Sequence, residues 1–232
     1  MLCSGFFQAP AQTTDQFSFK PENYYYFGIS SGFSSANFSL FEQLVQKQVE
    51  EVLVMRLDHN VRQRAATYIK AILKMSEKHQ VDPFWVMAVA WTESHFKASA
   101  RSNKGAMGIM QLMPQTQRYL LQKLKRKGFI LESEKGEDLI ISLLPQVDES
   151  LHRKLILQNL ELGILYLKDL NKRFQNPFLA TVAYNMGPTW TRRNIHRPSI
   201  VTANHYLLKV SLHYQKITGQ RNVKLSYTPA IQ

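Results

Sequence analysis

The stretch from Asp82 to Glu93 constrains the fold of this chain more than any other. Asp82 can cap the free N–H groups of a helix and Pro83 tolerates the first helical position, so the pair marks a helix start. From Phe84 through Trp91 nearly every residue is apolar, which predicts a helix buried on most sides in the middle of a domain. Glu93 ends that run. Desolvation and the partly negative C-terminal pole of the helix both disfavour a carboxylate there, so its pKa should be raised, which makes it a proton donor near neutrality. The plainer alternative is that Glu93 marks the solvent edge where the helix stops.

The rest of the chain reads as helices around that one. Phe41 to Lys78 suggests two amphipathic helices, the first through Leu44, Val45, Val52 and Leu53, the second through Ala65, Ile69, Ile72 and Leu73. Ser94 to Gly108, with Ser99, Ser102, Asn103 and Gly105, is a loop or short hairpin, and Pro114 opens a helix carrying Tyr119, Leu120 and Leu124. Lys123 to Glu149 is charged and mixed, and reads as a surface excursion. A long helix from near Leu151 places Leu155, Leu160, Ile164, Leu167, Leu170 and Phe174 on its inner side. Asn176-Pro177 starts another that runs to Tyr184 and ends at Asn185-Met-Gly187-Pro188. The last helix, about 202 to 218, carries Tyr206, Leu207, Val210 and Tyr214 and stops at Gly219. With no long strand and no internal repeat, the fold class is mainly α. The domain reading is an arm and helix over 1–60, a globular domain over 61–218 and a tail over 219–232.

At 232 residues and 44% hydrophobic content the chain can bury a sizeable core. Its 29 Lys and Arg against 17 Asp and Glu, a formal charge of +12, point to an anionic partner. The charge is uneven: no acidic residue follows Asp169, while Arg192, Arg193, Arg197, Lys209 and others do. No ribonucleoprotein signature or Cys/His finger spacing favours nucleic acid. The single cysteine, Cys3, excludes an intrachain disulfide framework and a cysteine-based zinc cluster. No run approaches the ~18 apolar residues of a spanning helix. Residues 1–11 end in a small-x-small pattern at Ala9 and Ala11, like the tail of a truncated secretory signal, with an ordinary terminus as the alternative.

Three blocks carry the chemistry. They are Glu93-Ser94-His95-Phe96; then Ser102-Asn-Lys-Gly105-Ala-Met-Gly108-Ile-Met110-Gln111-Leu-Met-Pro114-Gln-Thr116; and later Ala183-Tyr184-Asn185-Met-Gly187-Pro188. In this order they resemble the soluble lytic transglycosylase catalytic domain, a family whose fold is related to goose-type lysozymes. The resemblance covers roughly residues 62 to 214, with 125–148 as an insertion. It implies a lysozyme-like helical fold and makes Glu93 the sole acid and base, with Ser94 orienting it. It also implies that Met110 and Gln111 line the sugar groove, that Tyr184 and Asn185 face the scissile bond, and that Tyr206 lies near Glu93. The family usually has Glu-Thr just before that last tyrosine, where this chain has Thr202-Ala203 and then Asn204-His205. Each residue also has an ordinary structural reading: methionines as core filler, tyrosines as half-buried aromatics, glycines as turn residues and His95 as a plain surface histidine.

Most glycosidases need two carboxylates, and the matched blocks supply one. The resemblance implies the solution: the C6 hydroxyl of N-acetylmuramic acid attacks its own C1 and leaves a 1,6-anhydro sugar, with no cofactor or metal. The partner would be the glycan strands of peptidoglycan, and the location the periplasm or cell envelope, with lipid anchoring at Cys3 as a further option. A hydrolytic muramidase in which Asp138 or Glu161 activates water is one alternative. A non-catalytic peptidoglycan-binding or scaffold protein is another.

Overall fold

The computed structural model describes residues 54–219, apart from 137, 139–141, 146, 148 and 198, with the backbone alone at 201 and 202. The N-terminal arm, its helix, the segment around Cys3 and the C-terminal tail beyond Gly219 lie outside the described residues. Helices follow one another in the order α1 (His59–His79), α2 (Pro83–Ser94), α3 (Pro114–Arg126), a 3-10 turn (Glu132–Glu134) and α4 (Ser150–Phe174). Then come α5 (Pro177–Met186), α6 (Pro188–Asn194), the short α7 (Ser199–Thr202) and α8 (His205–Thr218). The class is mainly α, as read from the sequence.

Helix α2 is the axis of the molecule. Every residue from Trp85 to Trp91 is buried, as an all-round apolar helix requires. Full burial of each large side chain is worth roughly 1.5–3 kcal/mol. Helices α1 and α8 pack against α2. The Trp85 indole N–H, an expensive donor to bury unpaired, reaches across to Thr181 Oγ1 of α5 at 2.9 Å. At its start Asp82 accepts from the amides of Phe84 and Trp85, the cap that the sequence foretells. The same carboxyl takes the hydroxyl of Tyr214 at 2.8 Å, which joins α8 to the first turn of α2. Asn176 and Asn204 cap α5 and α8 in the same way, accepting from Leu179 and Leu207 amides.

Two expectations need correction. Leu155 is 54% exposed, because the first turns of α4 project beyond the core; Ile156 and Leu157 take the inward positions instead. The charged stretch after Lys123 is not a wholly surface excursion: Leu131, Leu143 and Leu144 are core residues, and Glu132 and Ser133 are buried. Its charge goes inward by pairing. Glu132 meets Lys78 of α1, and Glu161 of α4, fully buried, accepts from His79 Nε2 at 2.8 Å, Lys78 Nζ at 3.2 Å and the Glu132 amide at 2.6 Å. Burial pushes the Glu132 carboxyl up, but Lys78 and Lys135 outweigh it and hold it below its usual range. Helices α6 and α7 are elements the sequence did not announce.

Candidate active site

The last turn of α2 delivers Glu93 to the edge of the core. Its neighbours Trp91 and Ser94 are buried, while Glu93 is only partly exposed. The helix is stopped by His95 in the left-handed region at φ 53, followed by Phe96 at φ 59, whose ring is 1% exposed. Two successive non-glycine residues in that region cost of order 1–3 kcal/mol each and persist only where packing dictates them. Burial of Phe96 supplies that packing, and the sharp reversal leaves the Glu93 side chain at the helix end.

Burial raises the Glu93 pKa to about 7, against the opposing hydrogen bond from Tyr206, whose hydroxyl donates to Oε1 at 2.7 Å. The Tyr206 hydroxyl is itself pushed well above its ordinary value by burial and then by the Glu93 charge, so it stays a donor. Tyr184 is raised in the same way, by burial first and then by the Glu93 charge. Its hydroxyl donates not to the carboxylate but to the Met110 carbonyl at 2.7 Å, and its ring packs on Tyr166 with centroids 5.3 Å apart.

The segment 107–112 forms a tight turn beside the acid, bridged antiparallel to Arg101 and closed by Met107–Leu112 pairing. It is clamped from two sides. The Ser94 hydroxyl donates to Ile109 O at 2.8 Å and also contacts Ala90 O, so it secures the turn to α2 and makes no bond to the Glu93 carboxyl. From α4, Asn159 accepts from the Met110 amide at 2.9 Å and donates to Met107 O at 3.0 Å. Gly108, at φ 78, must be glycine: a Cβ would meet the Asn159 amide at 2.5 Å.

Sequence reasoning expected Met110 to line a sugar groove. Its side chain is 0% exposed and packs against Gly163, so it faces no groove, and its peptide bonds to Asn159 and Tyr184. Gln111 sits in the left-handed region at φ 44, with its amide donating to Ala100 O and Gly108 O at 3.0 and 2.9 Å, so it braces the hairpin. Asn185 follows Tyr184 and is exposed. Glu93, Tyr184 and Tyr206 are thus brought together, and Ser94, Met110 and Gln111 serve the turn between them. Asn159 and Gly163 were missed; four residues apart on one helix face, they receive the turn, and no periodicity marks a polar residue that caps a distant loop. Glu161, considered above as a second acid, has both carboxylate oxygens engaged in the buried cluster and reaches no solvent. A cavity of about 350 Å³, lined in part by Arg101, His152, Leu155 and Asn159, does not include Glu93.

The end of α2 thus holds a partly buried carboxyl with a tyrosine hydroxyl on it, next to a peptide turn clamped by Ser94 and Asn159. The Transglycosylase SLT domain family matches residues 70–207, more than half of the chain, and the chain belongs to that family. Membrane-bound lytic murein transglycosylase C of Haemophilus influenzae is 27% identical over 139 residues, 60% of this chain and 36% of that one. The protein of the same name from Histophilus somni is 23% identical over 156 residues, covering 67% and 40%. The chain therefore spans well under half the length of these curated relatives. Among solved structures, the 70 kDa soluble lytic transglycosylase of Escherichia coli is 19% identical, with a TM-score of 0.49 over 70% of this chain and 26% of that one. An inactive mutant of lytic transglycosylase Slt from Pseudomonas aeruginosa is 23% identical, with a TM-score of 0.48 over 65% and 24%.

Proposed function

We propose that this chain is a peptidoglycan lytic transglycosylase in which Glu93 works first as acid and then as base, within a catalytic domain spanning 61–218. The observation that carries the reading is one partly buried carboxyl with a pKa of about 7 beside a protonated tyrosine donor, in a member of this family. Near neutrality such a group is available in both protonation states. Glu93 protonates the glycosidic oxygen between N-acetylmuramic acid and N-acetylglucosamine, and the C1–O bond breaks as the glucosamine leaves. The carboxylate so formed takes the C6 hydroxyl proton as O6 closes on C1, giving the 1,6-anhydro sugar and restoring the acid. The substrate's 2-acetamido group stabilises C1 between the steps, and the tethered hydroxyl acts at high effective molarity.

Tyr206 supports the first half, because its hydrogen bond favours the carboxylate that forms as Glu93 gives up its proton. Tyr184 and Asn185 face the sugar beside the scissile bond, with the Met110 peptide, Gln111 and Ser94 maintaining the wall. The substrate lies outside the cytoplasmic membrane, and the relatives named membrane-bound support a place in the cell envelope. Among the described residues no helix is long and apolar enough to cross a membrane.

The test is mass spectrometry of muropeptides released from purified peptidoglycan by the wild type and by Glu93→Gln, which keeps the shape and removes the acid. Anhydro products from the wild type and none from the variant are expected. Reducing ends would assign a hydrolytic muramidase, and release by neither protein would assign a binder.

A further inference from the structure

Helix α6 begins three residues after Asn185 and presents to solvent a face that the proposed reaction does not use. Its inner side is buried: Thr191 is fully covered, with its amide and hydroxyl both donating to Gly187 O at the helix's own start, at 3.1 and 3.0 Å, and Ile195 packs against the core. The outer side carries Trp190, 41% exposed, with Arg192, Arg193 and, in the turn that follows, Arg197, all exposed. Trp190 and Arg193 stand at i and i+3, so the indole and a guanidinium are neighbours.

Several other arginines are engaged within the fold. Arg56 and Arg64 donate to backbone carbonyls across the fold, at 2.9 Å each, and Arg173 is held by Asp169 and the Tyr119 hydroxyl. Among the described residues no carboxylate pairs with Arg192, Arg193 or Arg197, and the sequence holds no acidic residue after Asp169 to do so. Three like charges within six residues repel one another and gain nothing inside the fold, which fits an anion supplied from outside. An exposed indole among them suits a ligand that also offers the face of a ring or apolar carbon.

Resting on the function proposed above, we infer that Arg192, Arg193 and Arg197, around Trp190, bind the carboxylates of the peptide stem borne by the glycan strand in the site. The stem hangs from the muramic acid whose bond is cut. The patch lies on the chain directly after the tyrosine and asparagine proposed to face that bond.

The experiment uses glycan strands with their stems and strands stripped of them by an amidase. Wild type is compared with Arg192→Gln/Arg193→Gln and with Lys125→Gln/Arg126→Gln, which removes the same charge at the exposed end of α3. The readout is the ratio of kcat/KM on stem-bearing to stem-free strands. That ratio should fall roughly three- to tenfold in the α6 variant, the effect of two exposed charge pairs, and hold in the α3 variant. An unchanged ratio, or an equal fall in both variants, overturns the inference, since the latter is bulk attraction. If the wild type cuts neither substrate, the proposed function fails by itself, and co-sedimentation with the same two kinds of strand reads the stem contact by the same ratio. Binding to duplex DNA or phosphatidylglycerol vesicles that depends more strongly on Arg192 and Arg193 than stem binding does would assign the patch to those polyanions and overturn it.

Discussion

Glu93 costs the folded protein stability in return for its proton affinity. Its native pKa of about 7 lies above the ordinary value of 4.5, so between those limits the native state binds more protons than the unfolded chain. Stability then falls as pH rises from about 4.5 to 7 and stays low above that. Glu93→Gln removes the penalty: the variant should be more stable than the wild type at pH 8 by about 1–3 kcal/mol, with solvent screening placing it below the full shift, and nearly equal at pH 4.5. Denaturant titrations at the two pH values check this; a variant less stable at pH 8 would contradict the desolvation argument. Tyr206→Phe removes the one hydrogen bond that favours the carboxylate, so the Glu93 pKa rises further. The alkaline limb of the kcat/KM profile should move to higher pH while the maximal rate drops, and a limb that moved lower would refute the assignment. A carboxylate closing an apolar helix was legible in the sequence, and the resemblance, not the helix, singled it out as the acid. The nearness of Tyr206 was implied by the resemblance alone; the bond from its hydroxyl to Oε1 is seen only in three dimensions.

At the scale of elements, the turn 107–112 and α4 act as one unit. Asn159→Ala deletes two hydrogen bonds, leaving the Met110 amide unsatisfied beneath the site and the Met107 carbonyl with the Leu112 amide alone. The expected loss is about 2–4 kcal/mol by denaturation, with faster amide exchange at 107–111 than elsewhere. A variant of wild-type stability with unchanged exchange would show that the turn holds itself. Helix starts at Asp82-Pro83, Pro114 and Asn176-Pro177 were readable because caps are local chemistry. Leu155 and the segment after Lys123 were misread for the opposite reason. Whether a leucine at the end of a helix is covered, or a glutamate in a charged run finds a buried lysine, depends on what lies opposite it.

For the whole molecule, the formal charge of +12 is set against the proposed substrate, whose stems carry carboxylates. Long-range attraction of this kind is screened within ~8–10 Å at 0.1–0.15 M salt. Release of fragments from whole peptidoglycan should therefore slow several-fold between low salt and 0.5 M, chiefly through KM; a salt-independent KM would remove net charge from the account.

By itself the sequence determined the helical class, the central helix and its cap, the order of the three blocks and the carboxylate that closes the central helix. Each of these rests on periodicity, capping or residue type, which act over a few positions. Tertiary structure alone decided that the Tyr206 hydroxyl donates to Glu93 Oε1, that the Met110 side chain is buried while its peptide bonds to Asn159 and Tyr184, and that Asn159 and Ser94 clamp the turn from opposite sides. It also decided that Glu161 is consumed in a buried ion cluster. Those outcomes depend on which distant residues come within about 3 Å of each other, and hydrogen bonding at that range is a property of packing that no local pattern encodes.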